Sequence, residues 1–313
     1  MSGMAATPGS RIRWEDLPGS VRAGVEELLG STVVSALPQP GGFSPGTADR
    51  VVTADGSRAF VKAASSRQNE QTPRLHRQEA EVLRQLPHDL PVPGFLGFYD
   101  DGDWVALVLE DVEGRHPMTP WVADELHATL RALAALAAGL TPSPVHGLPT
   151  ARNALASEFA GWSRLAADPQ EDLDPWAAAN LQTLVMLSQY GLEALDGRTV
   201  VHADVRVDNL LVRPDGEVVV LDWPWACVGP AWLDTVGLLV NVNLYGGHDV
   251  EELVSRYVGD AEPGDVTAAL AGLCGYFIDV ARQPPPPGLP TVRAVQRAHG
   301  VATLAWVRRR LGS

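Results

Sequence analysis

The stretch Thr199-Val-Val-His-Ala-Asp-Val-Arg-Val-Asp-Asn-Leu-Leu-Val212, followed by Glu217-Val-Val-Val-Leu-Asp-Trp223, decides how the rest of the chain is read. A short apolar strand delivers His202 and Asp204. Asn209 follows five residues later and opens a second apolar run. Asp222 ends a third run, and Pro214-Asp215-Gly216 supplies the turn between the last two strands. Taken singly, an Asp before a turn reads as a cap, and a His on an apolar strand as a satisfied core residue. The joint spacing is what asks for chemistry.

Moving a phosphoryl group to a hydroxyl needs a carboxylate for the hydroxyl proton, oxygen ligands for Mg²⁺ and a cation for the phosphates. Mg²⁺ prefers hard oxygens, which an Asn amide and an Asp carboxylate supply. Asp204, Asn209 and Asp222 offer one base candidate and two metal ligands. A hydrolytic metal site built on His202 and Asp204 is the rival reading, but no second His stands nearby.

The segment resembles the aminoglycoside phosphotransferase family, whose fold is shared with protein kinases. The family pattern H-G-D-x-x-x-x-N, then a strand ending in Asp, reads here as His202-Ala203-Asp204 to Asn209, then Asp222. Ala203 replaces the usual Gly, which alters loop backbone preferences but removes no reacting group. The resemblance implies an α+β, bilobal protein-kinase-like fold. It implies that Asp204 is the catalytic base, that Asn209 and Asp222 bind Mg²⁺, and that His202 holds the loop. Asp234, in Gly229-Pro-Ala-Trp-Leu-Asp234, then braces the catalytic loop or caps a helix.

Upstream, Thr32–Leu37, Asp49–Ala54 and Arg58–Ala63 read as strands, with Asp55-Gly56 as a hairpin turn. Lys62, in Phe60-Val-Lys-Ala63, falls where the resemblance places a phosphate-binding Lys. Residues 74–87 read as a helix carrying two candidate partners for it. Glu79 shares a face with Leu75, Leu83 and Leu86, whereas Glu81 shares one with Arg77, Arg84 and Gln85. Glu79 is therefore the expected partner, since an inward carboxylate needs one. The turn cluster at 41–46 places Gly42, Ser44 and Gly46 where a phosphate-covering loop belongs, although G-G-x-x-x-G also reads as a hairpin turn. The apolar strand Trp104–Leu109 runs into Glu110-Asp-Val-Glu-Gly114. By resemblance this is the hinge, with adenine read by backbone groups near Glu110 and Val112.

Helical spacing covers 15–29, 122–140, 151–166, 176–195, 232–244, 249–258, 264–282 and 291–311. The expected organisation is a loose tail over 1–14, a nucleotide-binding lobe over 15–110, a hinge over 111–114 and a helical lobe over 115–313. A stiff Pro-rich spacer runs from Gln283 to Pro290.

The 313 residues carry 24 Lys and Arg against 38 Asp and Glu, a formal charge of −14. Such a surface repels nucleic acid and anionic membrane, so neither is an expected partner, and it attracts cationic small molecules. Cys227 and Cys274 are too few for a disulfide framework and lack metal spacing. No apolar signal segment opens the chain, so a cytoplasmic location is expected.

These features lead to an enzyme that uses ATP or GTP with Mg²⁺ to phosphorylate a hydroxyl of a small, cationic molecule such as an aminoglycoside. A kinase for choline, a sugar, homoserine or a macrolide is the alternative of the same kind. A non-catalytic nucleotide-binding module is the alternative of another kind. Substrate-contacting residues and oligomeric state stay open at this stage.

Overall fold

A computed structural model describes residues 12–39, 46–169, 172–259, 261–286 and 291–312. The expected loose tail through residue 11, Gly42 and Ser44 of the glycine cluster, and the end of the Pro-rich stretch (287–290) lie outside these residues. The chain divides into two compact units. One comprises Met1–His116 with Val207–Trp225, and the other Pro117–Arg206 with Ala226–Ser313.

In the first unit the chain runs α1 (Gly19–Leu29), β1 (Val33–Pro38), β2 (Thr47–Thr53), β3 (Arg58–Ser65), α2 (Gln71–Leu83), β4 (Phe95–Asp100) and β5 (Trp104–Glu110). Pro18 cuts the expected 15–29 helix, leaving a single 3₁₀ turn at Trp14–Asp16 ahead of α1. The five strands form an antiparallel sheet ordered β1-β2-β3-β5-β4. Alternation along β3 explains the layering. Ala59, Val61 and Ala63 are buried against Trp14, Leu17, Val21 and Val25 on one face. Lys62 therefore projects from the opposite face, where α2 packs on β3 and β5. With a helix on each side, β5 buries Val105 through Leu109 without alternation.

The second unit opens with α3 (Ala123–Gly139). Three short helices follow, α4 (Ala151–Ala154), α5 (Ala156–Phe159) and α6 (Gly161–Ala167), where one helix over 151–166 was expected. The expected 176–195 helix is likewise split at Asn180 into α7 (Pro175–Ala179) and α8 (Leu181–Glu193). β6 (Thr199–Val201) then leads into the decisive segment. β7 (Leu210–Val212) and β8 (Val218–Val220) pair with each other inside the first unit. β9 (Cys227–Gly229) returns to pair with β6. The chain ends in α9 (Leu233–Tyr245), α10 (Val250–Tyr257), α11 (Pro263–Ala281) and α12 (Val292–Arg310). α11 is long and apolar enough to cross a membrane by length and composition. Here it packs against α6, α8 and α12, and 56% of its apolar window is buried.

The partition differs from a single break at 111–114. Val207–Trp225 clusters with the sheet because its backbone is bonded there. Arg115 and Val212 exchange N–H···O bonds of 3.1 and 2.7 Å, and Val220 N–H donates to Pro91 C=O at 2.8 Å. The break thus falls between Arg206 and Val207, inside the H-x-D-x-x-x-x-N motif itself.

Candidate active site

In the first unit, Lys62 Nζ donates to both carboxylate oxygens of Glu79, each at 2.9 Å, and to Asp222 Oδ1 at 2.7 Å. Glu79 is enclosed, its side chain 1% exposed, whereas that of Asp222 is 41% exposed. Burial disfavours the Lys62 ammonium, yet the charges of Glu79 and Asp222 outweigh it and hold its pKa above the ordinary value. Burial likewise raises the Glu79 carboxyl, with Lys62 pulling the other way and the negative Asp222 adding to the rise. His76, one turn before Glu79 on α2, is pushed down to about 3 by burial and by the Lys62 charge.

Asp222 follows β8 by two residues, and its backbone there is left-handed, φ +67°. Asp tolerates this region better than most residues. Leu221 N–H donates to Asn209 C=O at 2.8 Å, which ties the residue before Asp222 to the buried Asn209. Asp222 and Asn209 together bring one carboxylate and one amide oxygen. Among the described residues no group of three or more His, Cys, Asp or Glu could hold a metal. That donor set fits a small hard cation that keeps its waters and arrives with polyphosphate, rather than a protein cage.

At the end of β5, Glu110 N–H donates to Gly94 C=O at 2.8 Å, and Glu110 Oε2 accepts from Gly94 N–H at 3.1 Å. Arg213 Nη2 lies 3.2 Å from Glu110 Oε1. Val112 C=O accepts from Arg50 Nη2 at 2.8 Å. The backbone here is held by Arg50 and by Asp111, which pairs with Arg50 at 3.1 Å and Arg58 at 2.7 Å. Gly46 is left-handed at φ +124°, and a Cβ there would lie 2.2 Å from Ala63 C=O, so only glycine fits so close to β3.

In the second unit, the carboxylate of Asp234 in the first turn of α9 clasps the loop after β6. Its oxygens accept His202 N–H at 2.7 Å and Ala203 N–H at 2.9 Å. Burial raises the Asp234 carboxyl, and His202 with those two amides opposes the rise. His202 is fully buried, and its Nδ1 accepts Asp204 N–H at 3.1 Å. The ring thereby fixes the backbone of the residue it precedes by two. Ala203 is left-handed at φ +63°. Glycine would adopt that conformation without penalty, whereas alanine pays about 1–2 kcal/mol. Asp204 carries a 28% exposed side chain, with Arg206 Nε 3.6 Å from its Oδ1.

The structure thus gathers Lys62, Glu79, Asn209 and Asp222 in one unit, and His202, Asp204 and Asp234 in the other. Sequence reasoning missed Arg50, Arg58 and Asp111. An ion pair between Arg58 on β3 and Asp111 just past β5, 53 residues apart, leaves no local signal.

The model of the "Phosphotransferase enzyme family" matches residues 38–273. Solved structures share the fold. An aminoglycoside phosphotransferase from Alicyclobacillus acidocaldarius is 18% identical, with 98% of this chain and 99% of that one covered and a TM-score of 0.58. A spectinomycin phosphotransferase, solved with ADP and spectinomycin, is 13% identical over 92% of this chain and 98% of that one, TM-score 0.61. The choline kinase of Streptococcus pneumoniae is 14% identical over 94% and 98%, TM-score 0.61. No curated protein sequence matches the chain.

Proposed function

Because the chain belongs to the phosphotransferase enzyme family and is a small-molecule phosphotransferase, we propose that it transfers the γ-phosphate of ATP or GTP to a hydroxyl of a small cationic molecule such as an aminoglycoside. Asp204 takes the hydroxyl proton as the acceptor oxygen bonds to phosphorus. The bond from that phosphorus to the bridging oxygen breaks, and the nucleoside diphosphate leaves. Lys62, aimed by Glu79, positions the non-transferred phosphates, and Gly42, Ser44 and Gly46 cover them. Backbone groups at Glu110 and Val112 read the base. Asn209 and Asp222 hold Mg²⁺, which when bound neutralises charge on the phosphates.

One observation carries the reading. Lys62 Nζ is clamped by a buried Glu79 and a half-exposed Asp222, at 2.9 and 2.7 Å. Such a clamp has no packing purpose that apolar residues would not serve better. His202 and Asp234 act through Asp204 by fixing its loop. The acidic balance of −14 favours a cationic acceptor, and a role against antibiotics in the cytoplasm belongs to the same proposal.

A coupled assay of ADP release over aminoglycosides, choline, common sugars, homoserine and macrolides tests the reading. Asp204→Asn should cut acceptor-dependent turnover by about 10²–10⁴-fold and leave nucleotide affinity nearly unchanged. Full turnover in that variant would remove Asp204 from the role. Release with choline or a sugar and no antibiotic would place the enzyme in metabolism. No release with any acceptor would point to a nucleotide-binding module.

A further inference from the structure

At the end of β5, two side chains decide which backbone groups stay open. Gly94 stands opposite Glu110, one step beyond the Phe95–Leu109 pair. A hydrogen-bonded antiparallel pair exchanges two N–H···O=C bonds. Here only one forms, from Glu110 N–H to Gly94 C=O at 2.8 Å. Gly94 N–H goes instead to Glu110 Oε2 at 3.1 Å, and Arg213 Nη2 holds Oε1 at 3.2 Å. The Glu110 side chain thus takes the donor that its own C=O would otherwise receive.

Two residues on, the carbonyl is the group that is capped. Arg50 on β2 donates from Nη2 to Val112 C=O at 2.8 Å. Its Nε lies 3.1 Å from Asp111, whose side chain is 2% exposed and also pairs with Arg58 at 2.7 Å. A planar guanidinium that engages two acceptors at once is fixed in direction. Val112 N–H has no partner among the described residues. In chain order the segment offers an acceptor at 110 and a donor at 112, and the next acceptor is covered.

Adenine presents its N6 amino donor beside the N1 acceptor, the complement of that order. Guanine presents the O6 acceptor beside the N1 donor. On the same two groups it would set acceptor against acceptor and donor against donor. Moved one group along, its O6 meets Val112 N–H, but its N1–H then needs Val112 C=O, which Arg50 holds.

We infer that Arg50 is a specificity-determining residue: by capping Val112 C=O it excludes guanine, so the enzyme uses ATP in preference to GTP. The inference rests on the proposed reading of the base by backbone groups at Glu110 and Val112.

Calorimetric titration of the full chain with Mg²⁺ and either ADP or GDP tests it. ADP should bind at least about tenfold more tightly than GDP, since a mispaired base leaves polar groups unsatisfied on both sides. Arg50→Met uncovers Val112 C=O and should raise GDP affinity at least about tenfold. Arg58→Met also takes a cation from Asp111 but leaves Val112 C=O capped, so its ADP-to-GDP ratio should match that of the wild type. Equal affinities for ADP and GDP in the wild type, a ratio unchanged in Arg50→Met, or an equal shift in Arg58→Met would overturn the inference. If Arg50→Met does not fold, the wild-type ratio decides alone. Failure of the nucleotide reading looks different: neither ADP nor GDP binds, and the inference falls with it.

Discussion

Replacing Lys62 by Met removes the one cation that, among the described residues, is bonded to both Glu79 and Asp222. Glu79 is then an enclosed carboxylate left with the Trp223 backbone N–H but no cation, which costs roughly 3–5 kcal/mol. Protonation caps the loss. Burial already raises the Glu79 carboxyl, and once it is protonated the loss is limited to about 1.4 kcal/mol for each unit by which the working pH exceeds the unfolded carboxyl pKa. The reverse deletion, Glu79→Leu, is milder, because Lys62 keeps Asp222 at 2.7 Å and is 16% exposed. About 1–3 kcal/mol is expected there. The double variant, with Met facing Leu, should lose much less than the sum of the single losses, a coupling of at least about 2 kcal/mol. Denaturant unfolding of the four proteins at pH 7 measures the cycle. In Lys62→Met the folded pKa of Glu79 lies further above its unfolded value, so the deficit against wild type should narrow as pH falls from 7 to 5.5. Additive losses, or a deficit that holds constant with pH, would refute the reasoning.

Asp234→Ala strands the N–H groups of His202 and Ala203, which should cost about 2–4 kcal/mol and lower kcat while the KM for nucleotide holds; melting curves and steady-state kinetics check both. His76 is neutral when folded, pushed down to about 3, but protonates near 6.5 when unfolded. Its share of stability is therefore intact above about pH 6.5 and falls by about 1.4 kcal/mol per pH unit down to about 3. His76→Gln should flatten acid unfolding over that window, and identical pH profiles would contradict the assignment. Ala203→Gly exchanges about 1–2 kcal/mol of left-handed strain for under about 1 kcal/mol of lost methyl burial, so it should melt at or above the wild type.

What the sequence could show depended on how local each signal was. The three strands ahead of α2 and the apolar runs around Asp204 and Asp222 stand out because short β-branched runs are bounded by Gly, Asp and Pro. Helical phase separates Glu79, fully buried, from Glu81, exposed and bonded to Arg84 at 2.7 Å. β4 went unread, since Phe95-Leu-Gly-Phe-Tyr-Asp100 has a mid-strand glycine and no alternation; its pairing with β5 decides its state. β9 has three residues and exists through β6. The breaks at Leu155, Ala160 and Asn180 interrupt patterns that remain periodic in composition. The approach of α6 to α11 was invisible too, because 114 residues separate Gly161 from Gly275 and such an approach carries no periodicity.

Where α6 meets α11, a Cβ on Gly161 would lie 2.3 Å from Gly275 C=O, and the rings of Phe159 and Trp162 fill the space beside Gly272 and Gly275, so these three positions have nowhere to grow. New selectivity in this enzyme cannot arise by gradual repacking of that contact; it must come from the flanks. A library built on this chain would therefore freeze the three glycines and vary residues outside the contact. Most of its members should fold.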